Sequence, residues 1–258
     1  MPADVDHPYV EGRLGHRLYL DPADGRAVEL LRSGGSFNRA TLRVWDAALA
    51  LDTWDVVVDV GANYGEMLLS TGLPEGARLV CFEPNPRVLP WLRRSIRESG
   101  LAVDLREVAV GATTSEATFV MDTVWSGRSG LFDTHRTDAH HHLEPVVVPV
   151  RTLDSELALD EADRVCIKVD VEGAEFDVLE GARSVLSRRR RWAVMLEVLH
   201  MDGFEKARLA DEFVMRVLDL RTGELVTVPP ASARRVEELL GSGWVHPQDA
   251  VLTPKEDL

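Results

Sequence analysis

The stretch VVVDVGANYGE, residues 56–66, constrains the fold of this chain more than any other. Its valines form a nearly continuous apolar run around Asp59, which is the pattern of a strand buried on both faces of a parallel sheet. Gly61 can adopt a positive φ or admit a close backbone contact, and Gly65 lets the following helix pack against the strand. The order of strand, tight turn and helix predicts an α/β fold with a ligand site at the turn.

An acid follows the next apolar run at an informative spacing. Residues 78–82 form that run, and Glu83 lies 22 positions beyond Gly61. In Rossmann-like folds an acid about 20 residues past the glycine turn accepts hydrogen bonds from ribose hydroxyls. Glu83 and the turn together predict a nucleoside cofactor.

The spacing of the glycines disfavours a dinucleotide. The G-x-G-x-x-G pattern needs its second glycine at position 63, where this chain has Asn63. A side chain at that position obstructs the close approach of a pyrophosphate. An NAD-dependent oxidoreductase is therefore the weaker enzymatic alternative. A non-catalytic nucleoside-binding or interaction protein with a Rossmann-like fold remains open as well.

Three segments carry a family resemblance: DVGANYGE at 59–66, FEPNPRVLPWLRR at 82–94 and IKVDVEGAEFDVLEGA at 167–182. They resemble the signature blocks of FkbM-type methyltransferases, which use S-adenosylmethionine. The resemblance spans about residues 55–199. It implies a Rossmann-like class I methyltransferase fold, with a mostly parallel seven-stranded sheet, an antiparallel edge and helices on both faces.

The candidate cofactor-binding residues lie at the ends of the first three predicted strands: Asp59, Gly61, Asn63, Gly65, Glu83, Asn85, Val108 and Ala109. The resemblance places the last two beside the adenine. Three of these assignments have structural alternatives. Asp59 can instead bond the backbone of the turn, Asn85 can shape its own turn, and the pair at 108–109 can serve strand-end packing.

The resemblance implies an O-methyltransferase acting on a hydroxyl of a small molecule, such as a sugar or a secondary metabolite. A hydroxyl acceptor loses its proton on methylation, so a base at the strand ends is useful. His200 has the chemistry of that base, although it can equally be a polar loop residue. Asp170 can orient the hydroxyl, accept its proton or hold a divalent cation such as Mg²⁺. Glu197, near His200 at the end of the fifth strand, completes the candidate catalytic set.

We expect one domain, because 258 residues can bury one substantial core. Residues 1–50 would be an N-terminal cap or substrate-shaping segment, with a hairpin around 18–25 and a helix from 38 to 51. Residues 51–200 would form the cofactor-binding core. Strands and a helix in 201–258 would complete the sheet.

The net charge and the distribution of apolar residues limit the expected binding partners and the expected cellular location. A formal net charge of −14 repels polyphosphate, so a nucleic-acid substrate is disfavoured. The sequence has neither a membrane-spanning apolar window nor a targeting segment, and Cys81 and Cys166 suit buried thiols in a reducing cytoplasm. We therefore expect a cytoplasmic protein without a membrane partner, and homo-oligomer formation is left open.

Between residues 122 and 145 the apolar residues no longer recur at helix or strand spacing, and the segment contains several glycine, serine and histidine residues. Loops of this length in compact domains are usually functional or disordered, so a mobile lid or a solvated loop is expected. His140, His141 and His142 are adjacent in sequence. Adjacent side chains diverge on a helix or a strand, which disfavours a metal site there.

Overall fold

The computed structural model describes residues 8–131, 142–188 and 191–255. The strands of these residues, in chain order, are β1 (Tyr9–Glu11), β2 (Arg17–Tyr19), β3 (Val56–Val60), β4 (Arg78–Phe82), β5 (Val103–Arg106), β6 (Ala109–Val110), β7 (Ser115–Asp122), β8 (Gly130–Leu131), β9 (Leu143–Arg151), β10 (Val165–Val169), β11 (Trp192–Glu197), β12 (Val214–Asp219), β13 (Leu225–Thr227) and β14 (Val245–Thr253). The helices are α1 (Gly25–Arg32), α2 (Arg39–Leu49), α3 (Glu66–Leu69), α4 (Leu89–Ser99), α5 (Leu153–Glu156), α6 (Glu175–Glu180), α7 (Arg183–Arg188), α8 (Gly203–Glu212) and α9 (Ala233–Leu240).

The main sheet of the described residues has eight strands in the order β13-β12-β14-β11-β10-β3-β4-β5. The five strands from β11 to β5 are parallel, and β14 runs antiparallel to both β11 and β12. The predicted class I methyltransferase fold is confirmed. The sheet has one strand more than the predicted seven, because β13 pairs with β12 beyond the antiparallel edge.

Helices cover both faces of this sheet, as the valine run predicts. Val56, Val58 and Val60 of β3 pack in one buried cluster with apolar residues of α6, α8 and α9. Val57 faces the opposite side and packs with Trp45 and other residues of α2. A strand between two helical layers has no solvent-facing side, which explains why its apolar run is nearly unbroken.

A second sheet, in the order β6-β9-β7-β8, corrects two expectations. The predicted strand at 103–110 is two strands, because residues 109 and 110 leave the main sheet and pair in parallel with β9. The described parts of the expected loop at 122–145 include the end of β7, a 3₁₀ turn at Ser126–Arg128, β8 and the start of β9. His140 and His141 lie outside the described residues.

The N-terminal segment packs against the start of the cofactor-binding core. Its hairpin joins β1 to β2 and precedes the predicted position, because residues 21–24 lead into α1 instead of returning as a strand. The predicted helix from 38 to 51 is confirmed as α2, and the Asn38 side chain accepts a hydrogen bond from Thr41 N at its start. Leu18 and Leu30 are buried in one cluster with Tyr64. The division into one domain with terminal additions stays a prediction.

None of the helices in the described ranges combines the length and the apolarity that crossing a bilayer would need.

Candidate active site

The glycine turn that follows β3 is held by its neighbour β10. Gly61 has φ of +80°, and a Cβ atom at this position would overlap the carbonyl oxygen of Asp170. The Nζ atom of Lys168 donates a hydrogen bond to the Gly61 carbonyl at 2.9 Å. Asn63 also has a positive φ, at 49°. At position 61, only glycine can combine a positive φ with so close an approach of the Asp170 carbonyl. The ends of β3 and β10 therefore fix the shape of the turn.

Asp59 lies beneath the turn as the partner of a buried cation. Its side chain is 1% exposed, and its Oδ1 atom is 3.1 Å from Lys168 Nζ. The Oδ2 atom of Asp170 is 3.6 Å from the same Nζ. Burial alone would lower the pKa of Lys168, but the two carboxylates raise it above its ordinary value. Asp59 thus positions Lys168, which in turn holds the carbonyl of the turn.

Glu83 links the turn to the loop after β4. Its Oε2 atom accepts a hydrogen bond from Asn63 N at 2.7 Å, and its Oε1 atom accepts one from Asn85 N at 2.8 Å. Burial raises the pKa of Glu83 to about 7, although both N–H donors act in the opposite direction. Each carboxylate oxygen keeps a further lone pair for a ligand hydroxyl.

The first cavity lies against this carboxylate and the turn, and it encloses about 640 Å³ including its open mouth. Six of the residues selected from sequence line it: Gly61, Asn63, Glu83, Val108, Ala109 and Asp170. Three other cofactor candidates, Asp59, Gly65 and Asn85, are not among the lining residues. Gly65 begins α3 in a left-handed conformation, and Asn85 Oδ1 accepts a hydrogen bond from Arg87 N within its own turn.

The second cavity adjoins the first, and the two share Arg26, Gly127, Asp170 and Glu172. It extends between the ends of β10 and β11 and the segment at 124–128. Its apolar lining residues are Phe37, Met67, Trp125 and Leu199, and its acidic and histidine lining residues are Asp170, Glu172, Glu197, His200 and Asp249. A cavity lined by both apolar and polar side chains suits a ligand that has both kinds of surface.

Three candidate ligand or proton-transfer groups meet among the polar lining residues of the second cavity. The Nε2 atom of His200 lies 3.0 Å from Glu172 Oε2 and 3.6 Å from Glu197 Oε2. Burial, followed by the charges of Asp170 and Glu172, raises the pKa of Glu197 to about 9. Glu197 therefore favours its protonated form at neutral pH, and the carboxylate of Glu172 is well placed to stabilise a protonated His200.

The same three residues offer one ligand atom each within 4.8 Å of one another, a spacing that could accommodate a cation. Asp170, the metal ligand proposed from sequence, is not in that group, and its carboxylate faces Lys168 instead. His142 lies elsewhere, with its Nε2 atom 3.7 Å from Asp122 Oδ2.

Sequence reasoning missed Asp24, which connects α1 to the glycine turn and to the segment at 124–128. Asp24 is 3% exposed and caps α1, and its carboxylate accepts hydrogen bonds from Arg26 N, Ser126 N and the Tyr64 hydroxyl. An aspartate before a glycine-led amphipathic stretch is a helix-start signal that could have located the cap. Its contacts with residues 40 and 102 positions away have no local sequence signal.

The sequence profile of the methyltransferase FkbM domain matches residues 59–223, which is well over half of the chain. A comparison with curated protein sequences finds no match.

Several solved structures are similar to the chain. Precorrin-6y C5,15-methyltransferase from Geobacter metallireducens is 16% identical, with 83% of this chain and 87% of that chain covered and a TM-score of 0.43. The O-methyltransferase TomG from Streptomyces achromogenes, in complex with S-adenosylmethionine, is 12% identical, with 92% of each chain covered and a TM-score of 0.40. An O-methyltransferase from Bacillus cereus, in complex with S-adenosylhomocysteine, is 14% identical, with 91% of this chain and 93% of that chain covered and a TM-score of 0.41.

Proposed function

The chain belongs to the FkbM methyltransferase family, and we propose that it transfers the methyl group of S-adenosylmethionine to a hydroxyl of a small molecule. The observation that carries this proposal is the Glu83 carboxylate, which is fixed by two backbone N–H groups at the edge of the first cavity. The second cavity meets the first at Asp170 and Glu172. One cavity would therefore hold the cofactor and the other the acceptor.

In this proposal Glu83 accepts hydrogen bonds from the ribose hydroxyls, and Val108 and Ala109 pack against the adenine. Gly61 and Asn63 form the floor on which the sugar lies. Asp59 has an indirect role, because its contact is with Lys168. Gly65 and Asn85 shape the backbone that presents these groups.

S-adenosylmethionine supplies an electrophilic methyl group, which passes to the acceptor oxygen as the carbon–sulfur bond breaks and its electron pair returns to sulfur. The chain has to align the acceptor and remove its proton. Alignment of reacting groups can contribute about 7–11 kcal/mol in favourable cases. His200 takes the proton, and the adjacent Glu172 stabilises the imidazolium that results. Asp170 orients the hydroxyl.

Glu197 acts in its protonated form. A buried neutral carboxyl can donate a hydrogen bond to the acceptor, as its raised pKa favours. The Phe37 and Trp125 rings, which lie 5.8 Å apart and both line the second cavity, would contact the rest of the acceptor. A sugar or a secondary metabolite, with hydroxyls on one face and carbon on the other, fits this combination.

A divalent cation such as Mg²⁺ is a second version of the same proposal. Glu172, Glu197 and His200 are better spaced for it than Asp170. Loss of turnover on chelation, restored by added Mg²⁺, would support this version; full activity after chelation would remove it.

The acceptor can be found by screening hydroxylated compounds for release of S-adenosylhomocysteine. With an acceptor in hand, His200→Ala should keep the affinity for the cofactor and lose about 10²–10⁴-fold in turnover, the usual effect of removing a general base. His16→Ala is the matched control, because His16 lies between β1 and β2 and lines neither cavity. Wild-type turnover by His200→Ala would refute the base assignment.

A folded protein that binds the cofactor but methylates no compound of a broad screen would favour the non-catalytic alternative.

A further inference from the structure

Arg26 reaches the point where the first and second cavities meet, although it lies in α1 and outside the matched range 59–223. Its backbone N–H donates to Asp24 Oδ1 at 3.1 Å. The other Oδ1 contact of Asp24 is Ser126 N, and Asp24 Oδ2 accepts from the Tyr64 hydroxyl at 2.7 Å. Through Asp24, the Arg26 backbone is therefore connected to the glycine turn at Tyr64 and to the segment at 124–128 at Ser126.

The guanidinium of Arg26 has hydrogen-bonding capacity that the described residues do not use. Its Nη2 atom makes one long contact, 3.5 Å, with Glu66 Oε2. Its Nε atom is buried and has no hydrogen-bond partner among those residues. The side chain is only 18% exposed. The ion pair with Glu66 is long and leaves Nε without a hydrogen bond, so an anionic ligand group would satisfy donors that this site leaves open.

Arg26 is also the single cationic residue among the described residues that line the first cavity. The other charged lining residues are Glu83, Asp170 and Glu172. S-adenosylmethionine has one anionic group, the carboxylate of its amino-acid part. The adenosine end is assigned to Glu83, Val108 and Ala109, none of which lines the second cavity, whereas Arg26 lines both cavities.

On the basis of the proposed cofactor, we infer that Arg26 binds the carboxylate of the amino-acid part of S-adenosylmethionine. The planar guanidinium can donate two parallel hydrogen bonds to a carboxylate, a geometry that lysine cannot reproduce. The N-terminal segment then contributes a cofactor ligand. It also fixes the direction of the cofactor, with the amino-acid part at the junction where the methyl group must leave.

The test compares S-adenosylhomocysteine with 5′-methylthioadenosine, which keeps the adenosine and the thioether but lacks the amino-acid part. Arg26→Gln should weaken S-adenosylhomocysteine binding by about 10- to 150-fold, the range expected for losing a hydrogen bond to a charged group. It should leave methylthioadenosine binding unchanged. Arg32→Gln is the control, because Arg32 lies in the same helix α1, is exposed and paired with Glu29, and lines neither cavity.

A second arm removes the carboxylate from the ligand instead of the arginine from the protein. The decarboxylated analogue of S-adenosylhomocysteine should bind the wild-type protein more weakly by the same factor, and Arg26→Gln should not weaken it further. The inference would be overturned if Arg26→Gln lost equal affinity for S-adenosylhomocysteine and for methylthioadenosine. It would also be overturned if the decarboxylated analogue bound the wild type with full affinity. Failure of S-adenosylhomocysteine to bind the wild type at all would instead overturn the proposed function.

Discussion

At the scale of single residues, the protonation state of Glu83 should set the affinity of the site for its cofactor. Burial favours the protonated carboxyl, whereas two backbone N–H donors favour the carboxylate, and the balance places its pKa at about 7. The ionised form offers two acceptor oxygens to a pair of ribose hydroxyls; the protonated form has lost part of that capacity. The affinity for the cofactor should therefore rise with pH across this range.

We expect the affinity for S-adenosylhomocysteine to fall by up to about tenfold per pH unit below pH 7, because each unit reduces the ionised fraction about tenfold. Glu83→Gln should bind about 10- to 150-fold more weakly at pH 8 and lose most of the pH dependence. Calorimetric titrations from pH 6 to pH 8 measure both effects. Glu212→Gln, an exposed acid paired with Arg208, should behave as the wild type. If the affinity of Glu83→Gln depended on pH as steeply as that of the wild type, ionisation of Glu83 could not be the cause of the pH dependence.

Local sequence was sufficient to select Glu83 but not Arg26. The position of Glu83 depends on one strand and one turn, which are close in sequence and have characteristic patterns. Arg26 reaches the cavities because Asp24 contacts Tyr64 and Ser126, and such contacts depend on the packing of distant segments. The approach of His200 to Glu172 likewise depends on how two neighbouring strands end.

At the scale of elements, the turn after β3 depends on the contact between two strand ends. A residue with a Cβ atom at position 61 would be strained by the positive φ of this position, and its Cβ would overlap the Asp170 carbonyl oxygen. The paired strands β3 and β10 leave this carbonyl little freedom to move.

Gly61→Ala should therefore lower the free energy of unfolding by about 2–5 kcal/mol, combining left-handed strain with overpacking. Gly72→Ala is the matched control, since Gly72 is exposed and its added Cβ would meet nothing within 4 Å. This control should change the free energy of unfolding by no more than about 0.5 kcal/mol. Urea denaturation of both variants measures the difference, and equal stabilities would contradict the close approach.

Helices and strands could be predicted from sequence where the apolar residues follow one clear pattern. The buried strands β3, β4, β10 and β11 and the amphipathic helix α2 follow clear apolar patterns. The break between β5 and β6 could not be predicted in this way, because a continuous strand-like sequence does not specify which sheet each part joins. The second sheet was missed in part because β7 and β9 have few buried positions.

At the scale of the whole molecule, the N-terminal segment and the core share one site. Leu18, Leu30 and Tyr64 are buried together, and Asp24 connects α1 to the turn and to the segment at 124–128. The family profile begins at residue 59 and covers only the core side of this arrangement. Residues from both sides would therefore surround the cofactor.

The central claim is that this arrangement holds S-adenosylmethionine and not a dinucleotide. Calorimetric titration of the purified, folded chain with S-adenosylhomocysteine and, separately, with NAD tests it most directly. The account predicts saturable one-to-one binding of S-adenosylhomocysteine, no heat with NAD and no displacement of the first ligand by the second. Absence of S-adenosylhomocysteine binding, or its displacement by NAD, would contradict it.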